Sequence, residues 1–398
     1  MIRRQLVLFP VLALASAAAS AAAPVLVGLD AEFGVQSSTS AQAIQQGIEL
    51  AMDEINRKGG VLGGRPLALV KTDNGAIAAK ARDNLRTLGA TPDLVAVFGG
   101  KYSPIYVECL PVAQEIGLLL LDPWGSADPI TDHDFHPSYV FRLSLKDSWA
   151  APAFIRFARE HYGATRLGLL LPNTAWGRSN RDAILKHAAK TTVSLVGQEW
   201  FNWGERTLLP QYARLREAGA QAIVMITNEV EGAVLAKEVA ALPKSERLPI
   251  VSHWGVTGGR FAELAGPALQ EIDYTVIQTF RFLGNESPAA RRLVAALRQK
   301  YGIATAADVK SPVGVAHAYD LMHLLARAID KAGSTDRARV RSAMEQLGPY
   351  DGLIRHYARP FTPTRHDALT PEQIFFARYL PDDRLAPVAP QSSRRRVR

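Results

Sequence analysis

Short stretches dominated by apolar residues, separated by helical stretches, constrain the fold of this chain more than any other feature. Four of them lie at residues 25–30, 67–73, 94–99 and 117–122. Strands of this kind are typical of a parallel sheet whose two faces are both covered by helices. The first third of the chain therefore predicts a βαβαβαβ unit, which forms a doubly wound sheet.

The helix between the first two strands has the clearest pattern. Ile44, Ile48 and Met52 fall on one face at helical spacing, Ser40 is placed as the N-cap, and Gly59-Gly60 ends the helix. Two further crossover helices are predicted at 76–88 and 104–116.

The same alternation then starts again and predicts a second α/β lobe. After it, helices without an obvious place in that lobe are expected to return to the first one, before a last strand crosses back. The second half has predicted strands at 166–171, 193–196, 222–227, 250–253, 274–279 and 374–379, and predicted helices at 177–189, 208–218, 230–242, 288–301, 313–331 and 337–347.

Both chain ends fall outside the predicted fold. Residues 1–23 have the charged, apolar and small-residue order of a cleaved secretory signal peptide, so we expect an exported, periplasmic protein. Residues 386–398 are expected to form a disordered basic tail. Six of the arginines behind the formal charge of +8 lie in these two segments, which leaves +2 for the folded part. That charge is too low for a nucleic-acid-binding face, and the single Cys109 forbids an internal disulfide.

Aromatic and hydroxyl residues recur directly after the predicted strands. Because the carboxyl ends of parallel strands and the N-termini of helices meet at one edge of a sheet, these residues predict a small-molecule site. Taken singly, each Ser fits a helix cap equally well, and each Trp fits buried core. The candidate ligand-binding residues are Lys101, Tyr102, Ser103, Trp124, Gly125, Ser126, Trp176, Asn228 and Trp254.

Catalytic and cofactor motifs are not found in the sequence. It has no Gly-x-Gly-x-x-Gly after a first strand, no phosphate-binding Gly-Lys-Ser/Thr loop and no Gly-x-Ser-x-Gly elbow. His133 and His136 share a loop that offers no third metal ligand. We therefore expect no catalytic residue, no cofactor and no metal.

Several stretches together resemble a known family over almost the whole chain. They are "GIELAMDEINRKGGVLGGRPLALVKTDN" at 47–74, "LVAVFGGKYS" at 94–103, "LLLDPWGSADPIT" at 119–131 and "YVFRLS" at 139–144. The chain resembles the periplasmic ligand-binding proteins of ATP-binding-cassette (ABC) importers, in the branched-chain amino-acid-binding, type I subgroup.

The resemblance implies a domain organisation. It implies two doubly wound parallel-sheet lobes joined by three hinge crossovers, near 141–143, 271–274 and 358–361. The first lobe is expected to comprise 24–141 and 275–358, and the second lobe 142–274 and 359–385.

The resemblance also implies how a ligand is held. A ligand carboxylate is expected at the hydroxyls and amides of Tyr102-Ser103 and Gly125-Ser126, and Trp176 and Asn228 are the expected contacts of the second lobe. Lys101 favours a negative charge there.

One departure from the family pattern changes the expected ligand. Amino-acid binders of the family place an acid after the strand at 250–252 to pair with the ligand ammonium, whereas this chain has His253-Trp254. We therefore expect a small organic carboxylate with an aromatic or apolar body, delivered to an inner-membrane permease by a monomeric receptor that closes around a hinge. An aromatic cage for a quaternary ammonium is the competing use of the Trp residues, and Lys101 argues against it.

Three alternatives remain open at the level of sequence. They are an amino-acid binder with altered ammonium recognition, a ligand sensor of a signalling system that uses the same cleft, and a secreted enzyme, for which no acid/base pair or nucleophile is found.

Overall fold

A computed structural model describes residues 22–389. The predicted signal peptide, apart from its last two residues, and residues 390–398 of the predicted tail lie outside the described part of the chain. The described residues form two large β-sheets, a two-stranded hairpin and twelve α-helices, as expected for an α/β protein of two lobes.

The first lobe is built on a five-stranded, wholly parallel sheet with strand order β2-β1-β3-β4-β5. Its central strands are buried from end to end because helices cover both faces. The strands are β1 Val25–Ala31, β2 Leu67–Asp73, β3 Leu94–Gly99, β4 Leu119–Asp122 and β5 Val140–Arg142.

The second lobe is built on a seven-stranded sheet with strand order β14-β13-β10-β9-β8-β6-β7, in which β13 and β14 are antiparallel to their neighbours. A separate two-stranded hairpin, β11–β12, lies outside both sheets. The strands are β6 Arg166–Pro172, β7 Ser194–Phe201, β8 Ala222–Met225, β9 Ile250–Ser252, β10 Tyr274–Gln278, β11 Tyr350–Asp351, β12 His356–Tyr357, β13 Phe375–Tyr379 and β14 Leu385–Pro387.

Helices α10, α11 and α12 return to the first lobe, where α11 packs along α1. This contact is close: a Cβ on Gly47 would lie 2.3 Å from the main-chain oxygen of Val315, so only glycine fits at that position. The helices are α1 Ser40–Arg57, α2 Ala78–Gly89, α3 Ser103–Glu115, α4 Asp147–Tyr162, α5 Ala175–Ala188, α6 Leu209–Glu217, α7 Glu229–Ala241, α8 Phe261–Ala265, α9 Ala268–Glu271, α10 Pro288–Tyr301, α11 Pro312–Ala332 and α12 Arg337–Glu345.

Three expectations are corrected by the fold. Strand β10 pairs with β9 of the second sheet, so the second crossover follows β10 and residues 275–278 do not belong to the first lobe. The tail does not begin at 386, because Leu385–Pro387 forms strand β14. Ser40 is not the N-cap of α1: Thr39 takes that place, and the Ser40 hydroxyl donates to the Glu32 carboxylate.

A buried ion pair joins the first crossover to the third. Arg142, at the end of β5, is fully buried, and its Nε lies 2.6 Å from Oδ1 of Asp367. The remaining guanidinium nitrogens donate to the Ala127 carbonyl oxygen at 2.8 Å and the Thr131 hydroxyl at 2.6 Å. The main chain is paired here as well, because Arg142 N donates to the His366 carbonyl oxygen at 2.8 Å. The two crossovers therefore form one hydrogen-bonded unit.

Replacing Arg142 by Met is expected to lower the free energy of unfolding by about 3–5 kcal/mol, because it removes the closest ion-pair partner of the buried Asp367 carboxylate and leaves Lys146, at 3.3 Å, as its remaining cation. Urea denaturation followed by circular dichroism measures the change. The matched control is Arg159→Met, whose partner Glu160 is 61 % exposed, and which is expected to cost less than about 1 kcal/mol. Equal losses in the two variants would contradict this role of Arg142.

The same pair predicts a pH dependence. Burial alone would raise the pKa of Asp367, but Arg142 and Lys146 hold it below its usual value of 3.8. The stabilisation by the pair is thus present above about pH 4 and is lost as the pH falls through the lowered pKa of the folded state.

Candidate functional site

The carboxyl ends of strands from both sheets face each other across a small enclosed cavity. Residues after β3 and β4 approach it from the first lobe, and residues after β6, β7, β8 and β9 approach it from the second. The space inside it, counted together with the part open to solvent, is about 250 Å³. It is lined by Lys101, Tyr102, Ser103, Pro104, Trp124, Ser126, Trp176, Trp203, Asn228, Trp254 and Gly255.

Eight of the nine residues predicted from the sequence line this one cavity, and Gly125 does not. A Cβ on Gly125 would meet the side chains of Ile130, Asp122 and Tyr106 within 3.0 Å, so the residue faces the interior of the first lobe. Its glycine identity follows from packing, and Gly125 is removed from the candidate ligand contacts.

Aromatic rings form most of the cavity wall. Trp124 of the first lobe meets Trp254 of the second with ring centroids 5.8 Å apart, and Tyr102 meets Trp203 at 5.3 Å. Both contacts join the two lobes, so the described conformation is the closed one. The Trp176 ring stands edge-on to His253 at 4.9 Å. A cavity walled in this way suits a flat apolar group, because stacked or edge-on rings add about 0.5–1.5 kcal/mol per pair.

A buried ion pair bridges the lobes next to the rings. The Lys101 ammonium lies 2.6 Å from Oε2 of Glu229, and the two side chains are 1 % and 2 % exposed. Lys101 also donates to the Gly258 carbonyl oxygen at 3.2 Å, and Ser37 donates to Glu229 at 2.8 Å. Burial alone would lower the pKa of Lys101, but Glu229, Tyr102 and Glu32 raise it above its usual value. Lys101 is therefore charged, and Glu229 neutralises it.

Two of the main-chain amides expected to bind a ligand carboxylate, those of Gly125 and Ser126, are used inside the protein. The amides of Trp124 and Gly125 donate to Oδ1 of Asp122, at 2.9 and 2.6 Å. The amide of Ser126 donates to the Ser103 hydroxyl at 3.0 Å. The short side chains of Asp and Ser compete for nearby amides, which is their usual behaviour in turns.

Several side-chain groups at the cavity are still able to donate a hydrogen bond, among them those of Ser126, Asn228 and Tyr102. The Ser126 hydroxyl accepts from the Trp176 indole at 3.0 Å across the lobe boundary, which leaves its own proton available. Asn228 is the N-cap of α7, but its side chain makes no cap hydrogen bond. The Tyr102 hydroxyl remains protonated, since burial raises its pKa above the usual value.

Trp203 and Glu229 are the informative residues that sequence reasoning missed. Strand β7 runs to Phe201, so Trp203-Gly204 is one more aromatic-Gly pair after a strand, but the predicted strand ended at 196. Glu229 directly follows the predicted contact Asn228, and no local pattern connects it with Lys101, 128 residues earlier. Pro104 and Gly255 also line the cavity without having been predicted, but each directly follows a predicted residue.

Two relatives of this chain are distant from it in sequence but align with it over most of their length. A Leu/Ile/Val-binding protein homolog 2 from Brucella abortus is 22% identical over 332 residues, which are 83% of this chain and 85% of the relative. A leucine-, isoleucine-, valine-, threonine- and alanine-binding protein from Pseudomonas aeruginosa is 21% identical over 75% of this chain and 76% of its own length.

Solved structures share the fold. A type 1 periplasmic binding protein from Bordetella pertussis superposes with a TM-score of 0.81 at 22% identity, over 92% of this chain and 100% of its own. A solute-binding protein of an ABC transporter from R. palustris, solved with benzoate, gives a TM-score of 0.74 at 16% identity, over 92% of this chain and 96% of its own.

Among the helices of residues 22–389, none has the length and apolar character needed to cross a membrane. Residues 24–380 match the family of periplasmic binding proteins. The chain belongs to this family, whose members are solute-binding receptors and not enzymes.

Proposed function

We propose that this protein captures a small organic carboxylate with an aromatic or apolar body and delivers it to the inner-membrane permease of an ABC importer. In this proposal the signal peptide is removed on export and the receptor acts as a monomer. The lobes close over the ligand, and ligand contacts to both lobes shift the population towards the closed state.

One observation carries the choice of ligand: the cavity has aromatic walls from both lobes, and its lining residues include no carboxylate. Glu229, the acid that meets the lining residue Lys101, already pairs with Lys101 and Ser37. An amino acid would bring a buried ammonium to this cavity without a free partner, which is costly.

A carboxylate finds better partners than an ammonium does. The side chains of Asn228, Ser126 and Tyr102 supply donors at the cavity, and α3 begins at Ser103, where a helix N-terminus favours negative charge. Lys101 is not the anion's counter-charge, because Glu229 neutralises it. The benzoate complex of the R. palustris neighbour is compatible with an aromatic acid in a protein of this fold.

The relatives named for branched-chain amino acids keep an amino-acid ligand as the alternative. A quaternary ammonium is a second one, because indole rings bind such cations and the neutralised Lys101 no longer opposes them. A sensor of a signalling system would use the same cleft and differs only in its partner.

A ligand panel decides among the three classes. Isothermal titration of the mature protein with benzoate, leucine and glycine betaine is expected to give at least tenfold tighter binding of the acid that has no ammonium. The physical reason is the missing partner for a buried positive charge. Leucine or betaine binding more tightly than benzoate would contradict the proposed ligand class.

Asn228→Ala is expected to weaken carboxylate binding by about 1–3 kcal/mol, because the variant removes an amide donor from an enclosed site. Titration calorimetry with the tightest acid of the panel measures the loss. Asn173→Ala is the matched control, since Asn173 is exposed and lies outside the cavity lining. Unchanged affinity in Asn228→Ala would remove Asn228 from the site.

A further inference from the structure

A second and larger cleft lies beside the crossover that follows β10. The space between its walls, counted together with the part open to solvent, is about 830 Å³. It shares no lining residue with the cavity between the strand ends. Thr39 and Ser311 border it from the first lobe, and Gln278 and Tyr379 border it from the second.

One residue that lines this cleft, Gln278, carries a buried polar atom without a partner. Gln278 is fully buried, and its Nε2 donates to the Ile277 carbonyl oxygen at 2.7 Å. Its Oε1 has no hydrogen-bond partner among the described residues. Leaving a buried acceptor unpaired costs free energy, and buried polar atoms are as a rule satisfied. A bound molecule that brings an O–H or N–H group to Oε1 would remove this cost.

Positive charge borders the same space. Lys310 and Arg281 line the cleft, and neither forms an ion pair with an acid within residues 22–389, although the acid Asp383 lines the cleft as well. The other two cationic lining residues, Arg260 and Arg384, are paired with the nearby acids Glu263 and Asp382.

The N-terminus of helix α11 adds to this positive potential. The N-cap residue, Ser311, makes no side-chain cap bond, because its hydroxyl donates to the Thr257 carbonyl oxygen at 2.8 Å. The first turn of the helix therefore keeps its attraction for an anion.

The remaining wall is aromatic. Phe280 and Phe282 stand edge to face with centroids 4.9 Å apart, and Tyr379 is half-buried on the facing strand β13. An apolar or aromatic body would pack against these rings, with its charged end towards Lys310 and α11.

We propose that this cleft is a second binding site, which takes a small amphipathic organic anion: an apolar body, one negative group and an O–H or N–H donor for Gln278. The inference does not rest on the ligand proposed for the cavity between the strand ends. Since the cleft is bordered by both lobes next to a crossover, its occupant contacts both moving parts of the receptor.

The probe for the test is 8-anilinonaphthalene-1-sulfonate, which combines a sulfonate, aromatic rings and an N–H and fluoresces in apolar sites. Titration of the folded mature protein is expected to show one saturable site. Lys310→Ala is expected to weaken the probe about threefold and Lys310→Glu at least tenfold, since charge reversal repels the sulfonate.

Lys244→Glu is the matched control, because Lys244 is exposed and lies outside this cleft. It is expected to change the dissociation constant less than twofold. Circular dichroism melts of each variant verify that the chain is folded. Absence of a saturable site in the wild-type protein, or equal affinities in Lys310→Glu and Lys244→Glu, would overturn the proposal.

Discussion

The buried ion pair between Lys101 and Glu229 is the interaction on which the closed structure depends. Each partner comes from a different lobe, and each is almost completely removed from water. A buried pair of this kind adds little net stability to the fold. Moving one charge away while the other stays buried is strongly unfavourable, because the buried charge then has neither a partner nor water. The pair therefore fixes the position of one lobe relative to the other. It also neutralises Lys101, which the sequence suggested as a cation that binds an anionic ligand.

Further contacts between the lobes surround this pair. The Trp176 indole donates to Ser126, Trp124 packs on Trp254, and the Ser311 hydroxyl donates to the Thr257 carbonyl oxygen. The lobe opening that we propose would break all of these contacts together. The Arg142–Asp367 pair lies instead within the crossovers, where it keeps the connecting segments together.

Most of the fold follows from short-range pattern. The apolar stretches at 67–73 and 94–99 coincide with strands β2 and β3, and the helix predicted at 288–301 coincides with α10. The strand-end residues converge because parallel strands share their direction, a rule that needs no long-range information. Strand β7 was predicted too short because it is an edge strand of mixed polarity, and Trp203 was lost with it.

What the sequence did not reveal depends on contacts between distant residues. The pairing of Lys101 with Glu229 arises only when the lobes meet, and no local spacing encodes it. The use of the Trp124 and Gly125 amides by Asp122 is local, but the same dipeptides also fit a turn that offers its amides to a ligand. The strand β10 was misplaced by one crossover because its neighbour in the sheet is set by the chain topology and not by its own composition.

The most direct test of the account is the interlobe distance in a double-mutant cycle of Lys101→Met and Glu229→Gln. Double electron–electron resonance between spin labels at exposed Lys80 of the first lobe and exposed Lys186 of the second measures it without reference to any ligand. The account predicts that each single variant shifts the distribution to longer distances and that the two effects are strongly non-additive. Identical distance distributions in all four proteins would contradict it.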